Sequence, residues 1–356
     1  MAGRDAFDTL APEVKVRVNG AALPEPAAAD LVAVAVVNDV DAMGMFTLTL
    51  GGWDVVAMEV KWMDSELFRE GNPVQIELGY RDSTQTLFSG EITGLEPHFP
   101  EAKPPILTVR GYDRLHRLMR RRKTHSFTNV KDSDIAATLA GTAGLTPDVE
   151  DSGVTHPYVL QHNQTDLAFL LSRARRIDYE VFADDRTLHF RARALRESAA
   201  LTLRRDIELL EFHPRLTTMG QVQEFEVRGW SPQDKQALVG RAGAGDEPAT
   251  MKGTESGPSA VRRLFAPTGS ALDREPVQSQ ADADRIARQR FSDMALGYVC
   301  GEGVCIGDPR LRAGSVVEIE GLGGRFSGLY YLTSTQHCFS PRSGYRTRFA
   351  ARRNAT

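Results

Sequence analysis

Cysteine is scarce: three residues in a chain of 356, too few for a disulfide framework to hold a protein of this length. Long apolar runs are missing as well. No stretch approaches the ~20 residues that span a bilayer, which argues against stable membrane insertion. The opening "MAGRDAFDTLAPE" has no apolar signal core, so the expectation is synthesis in the cytoplasm without Sec export. Later incorporation into a larger particle stays open. Basic charge is not in excess. The net charge is −4, so no global basic field recruits nucleic acid or anionic lipid. No Ser-His-Asp, G-x-S-x-G or H-E-x-x-H pattern is present, and the "GEG" of "CGEGVC" lacks the strand-turn-helix context of a dinucleotide fingerprint.

What is there is an ordinary globular composition, 41% hydrophobic and 25% charged, long enough for two or three domains. The first third alternates in the manner of strands. "EVKVRVNG" ends in a turn pair, "NPVQIELGY" places Val74, Ile76 and Leu78 on one face, and "MFTLTLGG", "TLFSGEITGLEP" and "PILTVRGYD" continue the style. The period then changes. "KDSDIAATLAGTAG" and "QTDLAFLLSRARRI" predict helices with Asp132 and Thr165 as caps, and "YEVFADDRTLHFRA" predicts a hairpin around Asp184-Asp185. β patterning returns in "LTLRRDIELLEFHP" and "QVQEFEVRGWSP". The Gly/Pro/Ala/Ser-rich stretch Ala237–Glu275 predicts a long loop. "SQADADRIARQRFSDMAL" predicts a helix capped by Ser279, and the end is β again.

Two β regions resemble each other. Gly71, Val74, Ile76 and Glu77 match Gly314, Val317, Ile319 and Glu320 without a gap. Phe88-Ser89-Gly90 then matches Phe326-Ser327-Gly328, His98 and Phe99 fall near His337 and Phe339, and "LTVRGYD" has an echo in "FEVRGWS". Composition alone makes strand-turn-strand pieces look alike. The sharper reading is a β-barrel duplicated within one chain. Three such chains around an axis would present six similar barrels and adapt three-fold to six-fold symmetry.

The ordered stretches "DSELFREGNPVQIELGY", "LFSGEITGLEPHF", "VRGYDRLHRLMRRRKTHSF", "DSDIAATLAGTAGL", "VLQHNQTDLAFLLSRA", "LRAGSVVEIEGLGGRFSGLYYLTSTQH" and "GYRTRF" resemble the late control D, or tail hub, proteins of contractile phages. Relatives of that family are hub domains of type VI secretion spikes and of extracellular contractile injection systems. The resemblance runs from about Val14 to Arg353. It implies a mainly β fold with an α+β insertion: two tube-like antiparallel β-barrels in one chain joined by a small α/β module. It also implies a homotrimer made in the bacterial cytoplasm for a baseplate, whose partners are an inner tube protein, a spike and other baseplate proteins. The chain ends just after the second barrel, so the spike is expected to be a separate polypeptide. The expected domains are 1–123 (first barrel), 124–196 (α/β module), 197–236 with 296–356 (second barrel), and 237–295 (loop plus helix inserted in the second barrel).

Candidate chemistry is sparse. Cys300, Cys305, His337 and Cys338 offer three thiols and an imidazole for Zn²⁺, but the four residues between Cys300 and Cys305 exceed the common knuckle, so packed cysteines are expected and no cofactor or metal is assigned. The basic run Arg114–His125 lacks the interleaved aromatics of a nucleic-acid site. It reads as a solvated face or domain seam, or, in its functional version, as an assembly contact through Arg120, Arg121 and Arg122. "GLYYLTSTQ" is apolar on both faces around Tyr330 and Tyr331. That is either a strand buried on both sides or one that packs on a neighbouring subunit. Asp184-Asp185 and Glu208/Glu211 invite a glycosidase reading, a peptidoglycan-degrading tail enzyme being the alternative to a structural hub. Adjacent acids at a hairpin tip are more simply turn chemistry.

Overall fold

The computed structural model describes residues 11–356 apart from 82, 196–197, 232–233, 248–249, 266–269, 275–276 and 278. The first ten residues of the expected first domain, and parts of the 237–275 stretch, lie outside the described residues. The chain is mainly β, with 51% strand and 20% helix.

Five strands of the first third are β1 (Leu31–Asp39), β2 (Ala42–Gly51), β3 (Pro73–Tyr80), β4 (Ser83–His98) and β5 (Ile106–Tyr112). They lie in the order β1-β2-β5-β4-β3. Alternation decides which face turns inward: Phe46, Leu48 and Leu50 of β2, Val74, Ile76 and Leu78 of β3, and Leu107 and Val109 of β5 fill one core. Five strands of the last third are β6 (Leu209–Leu216), β7 (Val299–Ile306), β8 (Val316–Glu320), β9 (Gly328–Ser340) and β10 (Gly344–Arg353). Their order is β6-β7-β10-β9-β8, around a second core that holds Val299, Cys305, Val317, Ile319, Tyr330, Leu332 and Phe349. Each strand thus has a counterpart five places on, in the same chain order and the same spatial order.

The doubling reaches the irregularities. β4 is bulged against β5 between Ile92 and Gly94, and β9 against β10 between Leu332 and Ser334. β1 is bulged against β2 between Leu31 and Ala33, and β6 against β7 between Leu209 and Glu211. The skipped residues, Val32 and Leu210, stand out at 48% and 51% exposure. Gly71 and Gly314 both take left-handed φ, +89° and +83°, a conformation that favours glycine. Each donates its N–H over 2.8 Å to a carbonyl of the bulged strand, Ile92 and Leu332 respectively. A bulge is an extra residue fixed in one register, so two coincident pairs of bulges go beyond what shared composition produces.

These bonds correct the second half of the sequence match. Ile92 corresponds to Leu332, so Gly90 corresponds to Tyr330 and Phe88 to Gly328. Phe326 closes the short helix Gly323–Phe326 ahead of β9, because the two connections differ in length. "FEVRGWS" is not the counterpart of β5 either; β10 is. Glu224–Ser231 is the central strand of a separate three-stranded sheet, with Gln236–Gly243 antiparallel on one side and Ser270–Arg274 parallel on the other. The loop expected over 237–275 therefore carries two strands and a helix, Gly257–Phe265. Glycine misled here: a Cβ on Gly240 would lie 2.1 Å from the carbonyl oxygen of Ala283, so this glycine marks close packing of strand and helix. That helix, Gln280–Leu296, starts with the Ser279 hydroxyl accepting from Asp282 N–H at 3.2 Å.

The two units are not separate closed barrels. β9 pairs with β1, which joins both into one 13-stranded sheet, and no closed ring of ladders is found among the described residues. Between them stands the α/β module. Helices Asp132–Thr142 and Asp166–Arg176 accompany the sheet of Thr146–Val149, Thr187–Ala192 and Tyr179–Asp184, beside the ribbon Arg122–Lys131/Thr155–Thr165. Thr165 caps its helix by accepting from Ala168 N–H at 3.2 Å. Asp132 is not a cap: Lys131 holds that position, and the Asp132 carboxylate is buried against Arg173 and His156.

Candidate functional site

The basic run divides in two. Asp113 accepts from Leu115 N–H at 2.9 Å and turns the chain into the 3₁₀ segment Arg114–Met119. Arg114, His116 and Arg117 converge from that segment on Glu91 of β4. His116 Nε2 lies 2.8 Å from the carboxylate and Arg114 Nε 3.5 Å, while Arg117 bonds both oxygens. Burial alone would raise the Glu91 pKa; Arg117 and His116 outweigh it and hold the carboxyl below its usual range. Arg114 also reaches Asp185 on the module's hairpin. This half of the run is a seam between the first unit and the module, and Asp185 is spent in it. Arg120, Arg121 and Arg122 are exposed; Arg120 lies 3.1 Å from His116 Nδ1, and Arg122 donates to the Asn163 carbonyl at 3.1 Å.

Tyr330 and Tyr331 are buried, 0% and 1% exposed. Of the two readings of this strand, their burial is that of one covered on both faces by its own chain. The Tyr330 hydroxyl donates to the Phe326 carbonyl at 2.8 Å, and its ring meets Phe212 edge-on. The Tyr331 hydroxyl bonds Glu180 of the module. The sequence reading missed the most exposed apolar group. Val55, Val56 and Met58, at 74%, 96% and 69% exposure, crown the hairpin Trp53–Asp54/Glu59–Val60. The signal was Asp54, whose carboxylate accepts from Val56 and Ala57 N–H at 2.9 and 3.0 Å and turns the chain.

A cleft of 540 Å³ opens where both units meet the module, lined by Asp113, Glu180 and Arg312 among others. Burial pushes Asp113 up to about 7, opposed by N–H donors from Gly44 and Leu115. Burial also raises Glu180, against the Tyr331 bond. Arg312 donates to the carbonyls of Thr86 and Leu87 and so clamps the second unit to the first. Asp113, Glu180 and Arg312 are each taken up in structural bonds. Glu208, the other acid of interest, is held by Arg204.

The thiols do not converge. Cys300 and Cys305 lie an odd number of residues apart on β7 and so point to opposite faces; their sulfurs approach the carbonyls of Gly297 and Thr347. His337 turns away from its neighbour Cys338 into the core. Its Nε2 donates to the Leu311 carbonyl at 2.9 Å, and Nδ1 accepts from Tyr345 and Thr347 hydroxyls at 2.8 and 3.1 Å. Burial pushes its pKa down to about 4 from 6.5. This group's stability contribution is complete above pH 6.5 and is lost as pH falls toward 4, because the unfolded chain takes the proton first. Asp113, raised, acts oppositely in that window: its penalty above pH 7 is relieved as pH falls. Chemical denaturation between pH 7 and 4.5 is therefore expected to show a smaller acid loss in His337→Gln and a larger one in Asp113→Asn than in the parent. Parallel profiles for all three would refute both assignments.

The fold defines a class. Over 96% of its length the chain matches 98% of a 43 kDa tail protein of prophage MuSo2 from Shewanella oneidensis, with TM-score 0.73 and 12% identity. It matches a tail protein from Neisseria meningitidis MC58 over 96% of both chains, with TM-score 0.69 and 13% identity. It also matches 77% of the E. coli c3393 protein over 96% of its own length, with TM-score 0.63 and 13% identity. That protein is described as a component of the type VI secretion system, similar in structure to T4 tail proteins gp27 and gp5. At such identities the likeness is one of fold. No curated protein matches the chain. Residues 8–340 match the Alg8 N-terminal domain family, and the chain belongs to it; the family matched is thus not one named for late control protein D.

Proposed function

We propose that this chain is a non-enzymatic structural hub of a contractile phage tail or contractile injection system, of the late control D kind. Three copies would form a collar between a hexameric inner tube and a trimeric spike. The observation that carries the reading is the doubled five-strand unit with coincident bulges. One chain supplies two equivalent positions, so three chains supply six. The likeness in fold to tail proteins of two bacteria and to a type VI secretion component supports the same reading. Averaged electron-microscopy images of the purified protein are the test: three-fold rings support it, and monomers at micromolar concentration count against it.

Arg120, Arg121 and Arg122 are the proposed contacts to acidic groups of a neighbouring baseplate protein. Reversal of all three to Glu is expected to leave the melting transition of the isolated chain nearly unchanged, within the ~0.5 kcal/mol of ordinary surface substitutions, while particle assembly is lost. Normal particles from that variant would remove these residues from the interface.

A further inference from the structure

We propose that a second copy of this chain docks edge to edge, its β6 lying along Gly94–His98 of β4 and the following Phe99, and reproducing between chains the junction that β9 and β1 make within one. This rests on the ring reading above and specifies its contact surface. The internal junction runs antiparallel from Ser334 opposite Asp39 to Phe339 opposite Val34. The counterpart of β9 is β4, and that of β1 is β6. The second unit uses its β9 edge to hold the first unit's β1 edge, which leaves one edge of each kind unused. Residues 94–98 of β4 pair with β5 on one side, and among the described residues no strand pairs on the other. β6 ends the sheet; among the described residues it pairs only with β7, apart from a single bridge at Leu209.

The coincident bulges fix the register. Leu95 falls opposite Leu216, Glu96 opposite Arg215, His98 opposite His213 and Phe99 opposite Phe212. Glu96 and Arg215 are both exposed and of opposite sign; within the chain Glu96 pairs with Arg110 at 3.0 Å. Phe99 is 62% exposed. The Val40 N–H donates to the Thr333 carbonyl, which sets the alternation of the internal ladder: His337–Val36 is a hydrogen-bonded rung, and Gln336–Val37 and Cys338–Ala35 are the closer, unbonded ones. Transferred, the bonded rung becomes Pro97 opposite Pro214. Neither proline has an N–H, so that rung strands two carbonyls and no donor, the more tolerated kind of orphan. Bonded rungs at Leu95–Leu216 and Phe99–Phe212 flank it. The same prolines discourage unmatched strands from adding to either edge. The contact is head-to-tail, so it repeats until a ring closes.

The test is a disulfide across the unbonded rung. His98→Cys with His213→Cys, in a chain carrying Cys300→Ser and Cys338→Ser, is expected to give covalent oligomers on oxidation. The internal rung is the control: Ala35→Cys opposite native Cys338 closes within one chain. Independently, Glu96→Arg is expected to weaken self-association on the order of fivefold per junction, and adding Arg215→Glu to restore it. An oligomeric mass by light scattering without the cross-link, or without rescue by the charge swap, overturns this junction and leaves the ring reading standing. A monomeric mass overturns both.

Discussion

Glu91→Ala is expected to cost about 3–5 kcal/mol of folding stability, measured by chemical denaturation, the cost of leaving buried charge without its counter-ion. The Glu91 side chain is 11% exposed, and those of Arg114 and His116 are 7% and 10%. Two cations and an imidazole are arranged around one carboxylate; its loss leaves buried Arg114 with Asp185 alone and His116 without its acid, while Arg117, whose side chain is 39% exposed, can turn to water. Glu91→Gln keeps the shape and is expected to recover only part of the loss. A cost below ~1 kcal/mol, the range of an exposed pair, would mean the seam is solvated and does not hold the module to the first unit.

Gly111→Ala is expected to destabilise by about 3 kcal/mol. A Cβ there would lie 2.2 Å from the carbonyl oxygen of Glu91 and 2.3 Å from the ring of Phe46. The ring can turn; the carbonyl belongs to the neighbouring strand and cannot retreat without opening the ladder at the bulge. Trimming Phe46 to Leu in the same chain is therefore expected to bring no rescue, and rescue would show that the ring, not the backbone, sets the limit. The counterpart positions reverse the sizes. Ala351 stands for Gly111 and Gly301 for Phe46, and Phe212 fills the space above Gly301. Each unit keeps one large ring at this level but takes it from a different strand. Glu91→Ala and Gly111→Ala fall on adjacent rungs, Glu91 opposite Tyr112 and Gly111 opposite Ile92, so their costs are not expected to add.

Much of the fold was legible because its signals are local. Alternation in "NPVQIELGY" and the caps Thr165 and Ser279 are set by residues within a few positions of each other. What escaped depended on partners far along the chain. Gly240 looks like loop chemistry until Ala283 is packed on it. Tyr330 and Tyr331 fit a strand buried on both sides as well as an interface until the elements that cover β9 are in place. The phrase Phe-Ser-Gly recurs two positions out of register because connection length, not strand pattern, displaced it. Of the candidate site, the basic run was visible but its division was not: nothing near Arg117 says that its partner is Glu91, a lone acid inside "FSGEITG". The exposure of Arg120–Arg122 needs no distant partner to explain it, since consecutive arginines are costly to bury.

The second unit carries its extra sheet and helices between β6 and β7, where the first unit has only the tight turn from Asp39 to Ala42. The two ends of that excursion touch, Thr217 N–H donating to the Tyr298 carbonyl at 3.0 Å. Whatever hangs from such a splice point leaves and re-enters the frame at one place, so its bulk can grow, shrink or be exchanged for another cassette while the ten-strand chassis keeps its registers.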